Sequence, residues 1–119
     1  MASRQEEAEA TFRTHPSVAV REELLRWFTA PADQAPDRER IPVELLAESA
    51  TNESNWSFRP KIIRAMGKAA VDNPSDRAAL IAALEGLVND RTVLERDRAV
   101  VVEVLGEVRR AVGEGGRPA

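Results

Sequence analysis

Apolar residues recur along this chain at spacings of three and four, the period of a helix buried on one side, and start and stop signals cut the pattern into six segments. The first is expected over residues 2–13. There Ser3 and Glu6 form a capping box that satisfies two otherwise orphan backbone N–H groups, and Pro16 closes the segment. The second, over 17–30, sets Val20, Leu24, Trp27 and Phe28 on one stripe and is stopped by Pro31. The third, over 37–50, tolerates Pro42 near its start and turns Ile41, Leu45, Leu46 and Ser49 inward. The fourth, over 57–71, has Pro60 in its first turn and Phe58, Ile62, Ala65, Met66 and Ala69 at helical spacing. The fifth opens with Asn73 as N-cap, Pro74 at the first helical position and Asp76 in the first turn. Its face is Leu80, Ile81, Leu84, Leu87 and Val88.

The sixth segment opens on a second capping box, Thr92 with Glu95, and carries Val93, Val100, Val101, Val104, Leu105, Val108 and Val112. β-Branched residues of this kind suit a strand, but Glu103, Glu107 and Arg110 punctuate them at spacings of three and four and no turn divides the run. Period outweighs propensity, so a helix is expected. The expected domain is residues 1–112, with a disordered Gly-rich tail over 113–119. The loops at 31–36 and 51–55 are short enough to keep neighbouring helices antiparallel.

The pattern also repeats at a spacing of 38 or 39 residues. Ile62-Ile63-Arg64-Ala65-Met66-Gly67 matches Val101-Val102-Glu103-Val104-Leu105-Gly106, and Leu24-Leu25-Arg26 aligns with Ile62-Ile63-Arg64, as Arg21 does with Arg59. The connector returns as well: Asp33, Asp37 and Arg38 become Asp72, Asp76 and Arg77, and Val43, Leu46 and Ala50 become Ile81, Leu84 and Val88. An ordinary helical bundle with a generic amphipathic pattern is the competing reading.

The residues Phe58-Arg59-x-x-Ile62-Ile63-x-Ala65-Met66-Gly67, then Asp72-Asn73-Pro74, then Leu80-Ile81-x-x-Leu84, resemble the HEAT-like repeat family, and Arg98-x-x-Val101-Val102-x-Val104-Leu105-Gly106 begins another unit. The resemblance covers residues 20–112. Trp27 and Thr29 depart from it, standing where the other units have small residues or Gly, and so does Pro60, inside the first turn of its helix. It implies an all-α fold: a short right-handed α-solenoid of about two and a half units, six helices, in which each helix pair covers the apolar face of its neighbour. Ala65, Gly67, Ala69 and Ala70 would let helices approach closely, the charged first helix would cap the array, and the sixth would lack a partner of its own.

Composition narrows the function classes. At 119 residues the chain is expected to form one domain. Without Cys, a disulfide framework, a thiolate zinc site and a thiol nucleophile are all excluded. No apolar run reaches membrane-spanning length, and the start has no apolar leader, so a cytoplasmic protein with no membrane partner is expected. A net charge of −3 and a pI near 5.3 disfavour general nucleic-acid affinity. His15 is the only imidazole and sits beside Pro16 in a turn, with nothing to share a cation. Adjacent carboxylates such as Glu6/Glu7 and Glu22/Glu23 splay around a helix rather than converge for acid–base work. There is no Gly-x-Ser-x-Gly elbow, and Gly113–Gly116 precedes no helix that could bind phosphate. No enzyme, metal or cofactor is expected.

Two surfaces are candidates for binding. Residues 54–71 hold Arg59, Lys61, Arg64 and Lys68 and no acidic residue. On a helix Lys61, Arg64 and Lys68 fall within about 60° of one another, with Trp56 near as an exposed anchor. The rival surface is acidic: the resemblance puts second helices on the inner side, where Glu44, Glu48 and Glu85 would face a basic partner. A solvated helix face competes with both readings. The expected function is a non-catalytic protein–protein interaction or scaffold module. The alternatives are a nucleic-acid accessory domain using the basic stripe, where an aromatic beside a cation could stack on a base, and a homo-oligomer built through the sixth helix.

Overall fold

A computed structural model describes residues 3–113, so the expected tail beyond Gly113 lies outside the described residues. These residues form six α-helices and no strand: α1 (Arg4–Thr14), α2 (Val18–Thr29), α3 (Val43–Asn52), α4 (Arg59–Asp72), α5 (Arg77–Asn89) and α6 (Glu95–Ala111), with short 3-10 turns at Ala32–Gln34 and Pro74–Asp76. The all-α expectation and all six helices are present. The molecule measures 51 × 34 × 21 Å along its principal axes.

Local chemistry sets most helix ends. The capping box at α1 forms as expected, with Glu6 N–H donating to Ser3 Oγ and Ser3 N–H to the Glu6 carboxylate. At α2, Ser17 Oγ accepts from Val20 N–H. Three expectations fail. The third helix begins at Val43, not near 37, because Pro42 biases Ile41 toward extended backbone and Gln5 holds that stretch outside a helix. The buried Gln5 amide accepts from Glu39 N–H at 3.0 Å and donates to Arg40 C=O at 3.0 Å. Asn73 does not cap α5; its amide donates backward to Ala69 C=O, closing α4. Thr92 does not cap α6 either: its N–H and hydroxyl both donate to Asp90 Oδ1, a local turn that leaves Leu94 at the helix start.

α4 lies at the centre and touches α2, α3, α5 and α6, while α3 also packs on α5, α5 on α6, and α1 on α2. Its inward face of Ile62, Ile63, Met66, Gly67, Ala69 and Ala70 is buried from end to end. On α2 the buried face is Leu25, Phe28 and Thr29, so Val20 points outward against expectation. Residues one period apart come into contact across the row α2, α4, α6. Lys61 Nζ meets Glu22 at 2.7 Å and Arg64 meets Glu103 at 2.8 Å, each pair 39 residues apart. Contacts of Arg59 with Asp97, Arg64 with Glu103 and Gly67 with Val104 climb both helices together, so α4 and α6 run in the same direction.

Repeat-related arginines do the same work at successive helix ends. The last four carbonyls of a helix have no partner within it. Arg21 Nε donates to Phe12 C=O at the end of α1, and Arg38 Nη1 to Trp27 and Ala30 C=O at the end of α2. Arg59 Nε donates to Glu53 C=O at the end of α3, and Arg77 to Ala70 and Val71 C=O at the end of α4. Arg98 reaches Val88 C=O and Asp90 C=O at the end of α5, and Val93 C=O beyond it. The positive charge also suits the negative end of each helix dipole.

Close approach of α4 and α6 depends on one small residue. A Cβ at Gly67 would lie 2.3 Å from Val104 Cγ1, whereas one at Gly86, inside α5, would meet nothing within 4 Å. Gly67→Ala is therefore expected to destabilise the fold by about 1–3 kcal/mol through overpacking. Gly86→Ala is expected to stabilise it by up to about 1 kcal/mol through helix propensity. Denaturant midpoints of the two variants, which should move in opposite directions, check this.

Candidate functional site

The basic stripe of α4 divides in two. Lys61, Arg64 and Lys68 are exposed on one face of the helix, away from its buried stripe. Each already stands beside a carboxylate: Lys61 with Glu22 of α2, Arg64 with Glu103 of α6, and Lys68 with Asp72 one turn along, at 2.6 Å. The Lys61 ammonium, as hydrogen-bond donor, holds the Glu22 carboxyl below its usual range. Exposed pairs of this kind contribute little to stability, so these side chains can exchange partners readily. Arg64 and Lys68 form one wall of a groove of ≈ 210 Å³ between α4 and α6. Its floor is Gly67, Val71, Val104 and Val108, and Glu107 stands on the far side.

Arg59 turns inward instead. Its Nε is committed to the Glu53 carbonyl at 2.7 Å and its Nη1 to Asp97 at 3.2 Å. Trp56 is 61% exposed, and its companion is Arg96 of α6, whose guanidinium carbon lies 5.0 Å from the ring centroid. The structure thus brings Lys61, Arg64 and Lys68 together and separates Arg59 and Trp56 from them. The acidic residues are divided as well. Glu48 is 3.8 Å from Arg13, Glu44 lines a shallow cleft with Arg13 and Arg40, and Glu85 on α5 bonds Arg109 at 2.6 Å.

A second constellation has no counterpart in the sequence reading. Glu53, only 7% exposed, accepts both Nη groups of Arg21 on its carboxylate and a hydrogen bond from Asn55 N–H at 3.0 Å, while its carbonyl takes Arg59. The Arg21 guanidinium lies between two rings, 5.1 Å from the Phe12 centroid and 5.0 Å from that of Phe58. At the next junction Asp97, 2% exposed, pairs with Arg59. The available signal was register: Asp97 occupies the repeat position of buried Phe58, so a carboxylate there had to be paired. These groups tie helix junctions.

His15 accepts from Ser17 N–H through Nδ1 in the α1–α2 turn. Among the described residues no three His, Asp or Glu side chains converge as metal ligands, and no helix is long and apolar enough to cross a membrane. Comparison with protein-family models, with curated proteins and with solved structures gives no match, so the functional reading rests on this geometry.

Hydrogen bonding from Arg21, opposed by desolvation and reinforced by Asn55, lowers the Glu53 pKa. A lowered folded-state value means the pair stabilises the fold above the unfolded pKa of about 4.3, and that contribution is lost as pH falls through the folded value. Glu53→Ala, which strands Arg21 between the rings, is expected to cost about 3 kcal/mol at neutral pH. The variant should also lose less stability than the parent between pH 5 and 2 (about the carboxylate range), as read by thermal unfolding across that interval.

Proposed function

We propose that this chain is a non-catalytic interaction or scaffold module: a short right-handed α-solenoid of HEAT-like helix pairs that offers one rigid charged helix face to a protein partner. Support for the stacked architecture comes from the contacts between positions 39 residues apart on α2, α4 and α6. The equivalent placement of Arg21, Arg59 and Arg98 at successive junctions supports it too. In such an array binding works by surface complementarity on a preformed face, with little ordering of the module when it binds.

The observation that carries the binding reading is the groove between α4 and α6. Arg64 and Lys68 stand over an apolar floor of Gly67, Val71, Val104 and Val108. That pairing of two cations with an apolar trough suits an acidic segment carrying one or two apolar side chains, as a helix or an extended strand. Its carboxylates would replace Glu103 and Asp72 as partners of the two cations, a low-cost exchange because both pairs are solvent-exposed. A nucleic-acid backbone fits the same face less well. Glu22, Glu103 and Asp72 sit within bonding distance of its three cations, and the chain carries −3 overall.

Reversing Arg64 and Lys68 to Glu together tests the reading. In nuclease-treated native lysate the parent chain is expected to retain a protein that the doubly reversed chain, folded to the same helix content, captures at least about tenfold less. Equal capture by both chains would remove the groove as the binding site. Dependence on intact nucleic acid, with a steep loss of binding as salt rises, would replace the protein partner by a nucleic acid.

A further inference from the structure

Among the described residues the row α2, α4, α6 ends in a face that repeats a buried one. Val102 and Gly106 on α6 occupy the positions of Ile63 and Gly67 on α4. On α4 these residues are covered: Ile63 is 1% exposed, and Gly67 receives Val104 of α6. On α6 the equivalents are open. Val102 is 55% exposed, the only side-chain atom near a Cβ at Gly106 is Nη1 of its own helix's Arg110, and no helix follows α6 among the described residues.

Charge decides what fits that face. Glu95, Ala99, Val102, Gly106 and Arg109 lie within about 80° of the helix circumference at 100° per residue. Glu95 and Arg109 are each seven residues from Val102, about 10 Å along the axis on either side. The stripe is therefore acidic at one end, basic at the other, and small or apolar between.

We infer that the outer face of α6 is the interface of a symmetric dimer, in which a second copy of this chain pairs its own α6 antiparallel about a two-fold axis at Val102. The axis sets Val102 against Val102 and Glu95 of each copy against Arg109 of the other, whereas a parallel arrangement would set like charges together. Two-fold pairing of one self-complementary patch is the commonest form of assembly. Ala99 and Gly106 carry too little side chain to hold the two helices apart. The same axis brings the exposed Leu94 of the second copy to the α5 side of the Arg109 end. There a groove of ≈ 380 Å³ opens over Val88, Val102 and Leu105. Arg109 already bonds Glu85 at 2.6 Å, and its five donors have room for a second carboxylate. This face is distinct from the groove beside Arg64 and Lys68, so either can fail without the other.

Sedimentation equilibrium of the whole chain from about 1 µM to 1 mM, the span in which modest interfaces saturate, tests the inference. The parent chain is expected to dimerise reversibly. Val102→Glu, at an exposed position that leaves the fold intact by circular dichroism, should be monomeric throughout. Glu95→Arg and Arg109→Glu should each weaken self-association at least about tenfold, because each sets like charges together twice. An equimolar mixture of those two variants should recover dimer as a heterodimer, since each Arg again faces a Glu. A parent chain monomeric at every concentration would overturn the inference and leave the face to a helix of another protein. So would a dimer indifferent to Val102→Glu, or a mixture that stays as weak as its components.

Discussion

The fold depends on arginines that reach back to close the helix before them. A helix end that abuts another element loses access to water, and its last carbonyls then need a donor from elsewhere. In this chain the donor is an arginine in the following segment at every end from α1 to α5. A charged donor makes a stronger bond than a neutral one, and the fork of a guanidinium can take two or three carbonyls at once, as Arg98 does. Two of the five also engage buried carboxylates, Arg21 with Glu53 and Arg59 with Asp97. Specific bonds thus fix the angle between successive helices, and the apolar core, which is not directional, fills the space between them.

This division of labour explains the character of the surface. Arginines at the junctions are consumed by backbone and buried carboxylates, leaving the stripe of Lys61, Arg64 and Lys68 as the basic group that faces outward from α4. Those three are balanced by carboxylates, Glu22 and Glu103 on neighbouring helices and Asp72 on α4 itself, so the face carries sharp local charge and little net field. On the proposed reading, such a surface would discriminate between partners by position of charge more than by its total. The groove beside it lies where α4 and α6 approach closely, which Gly67 permits.

What the sequence made legible follows the range of the interactions. Helix content was readable because periodicity is a property of neighbours three and four apart, and the Ser3–Glu6 box because both partners lie in one turn. The positions 21, 38, 59, 77 and 98 stood out as recurring arginines, but their role did not, since a backbone carbonyl has no signature in a sequence. Asn73 and Thr92 were misread for a related reason: an Asn or Thr near a helix boundary can bond forward or backward, and the choice depends on where the chain goes next. The third helix was placed too early because Gln5, thirty-four residues upstream of Glu39, holds residues 39 and 40 in an extended path. Glu53 looked like any surface acid, since its burial comes from packing between elements distant in the chain. Arg59 shares the acid-free stretch of the outward cations, but at 100° per residue it lies on the opposite side of α4 from Lys61, Arg64 and Lys68, so helical angle separates what proximity in the sequence groups.

The reach of these closing bonds has a kinetic side. Each arginine lies between five and eleven residues from the carbonyls it binds. When the chain emerges from a ribosome, each of α1 to α5 can therefore be sealed soon after its completion, as the next segment forms. Contacts so near in sequence close quickly and at small entropic cost. The growing chain can then add one sealed helix at a time, with few of its polar backbone groups left waiting for distant partners.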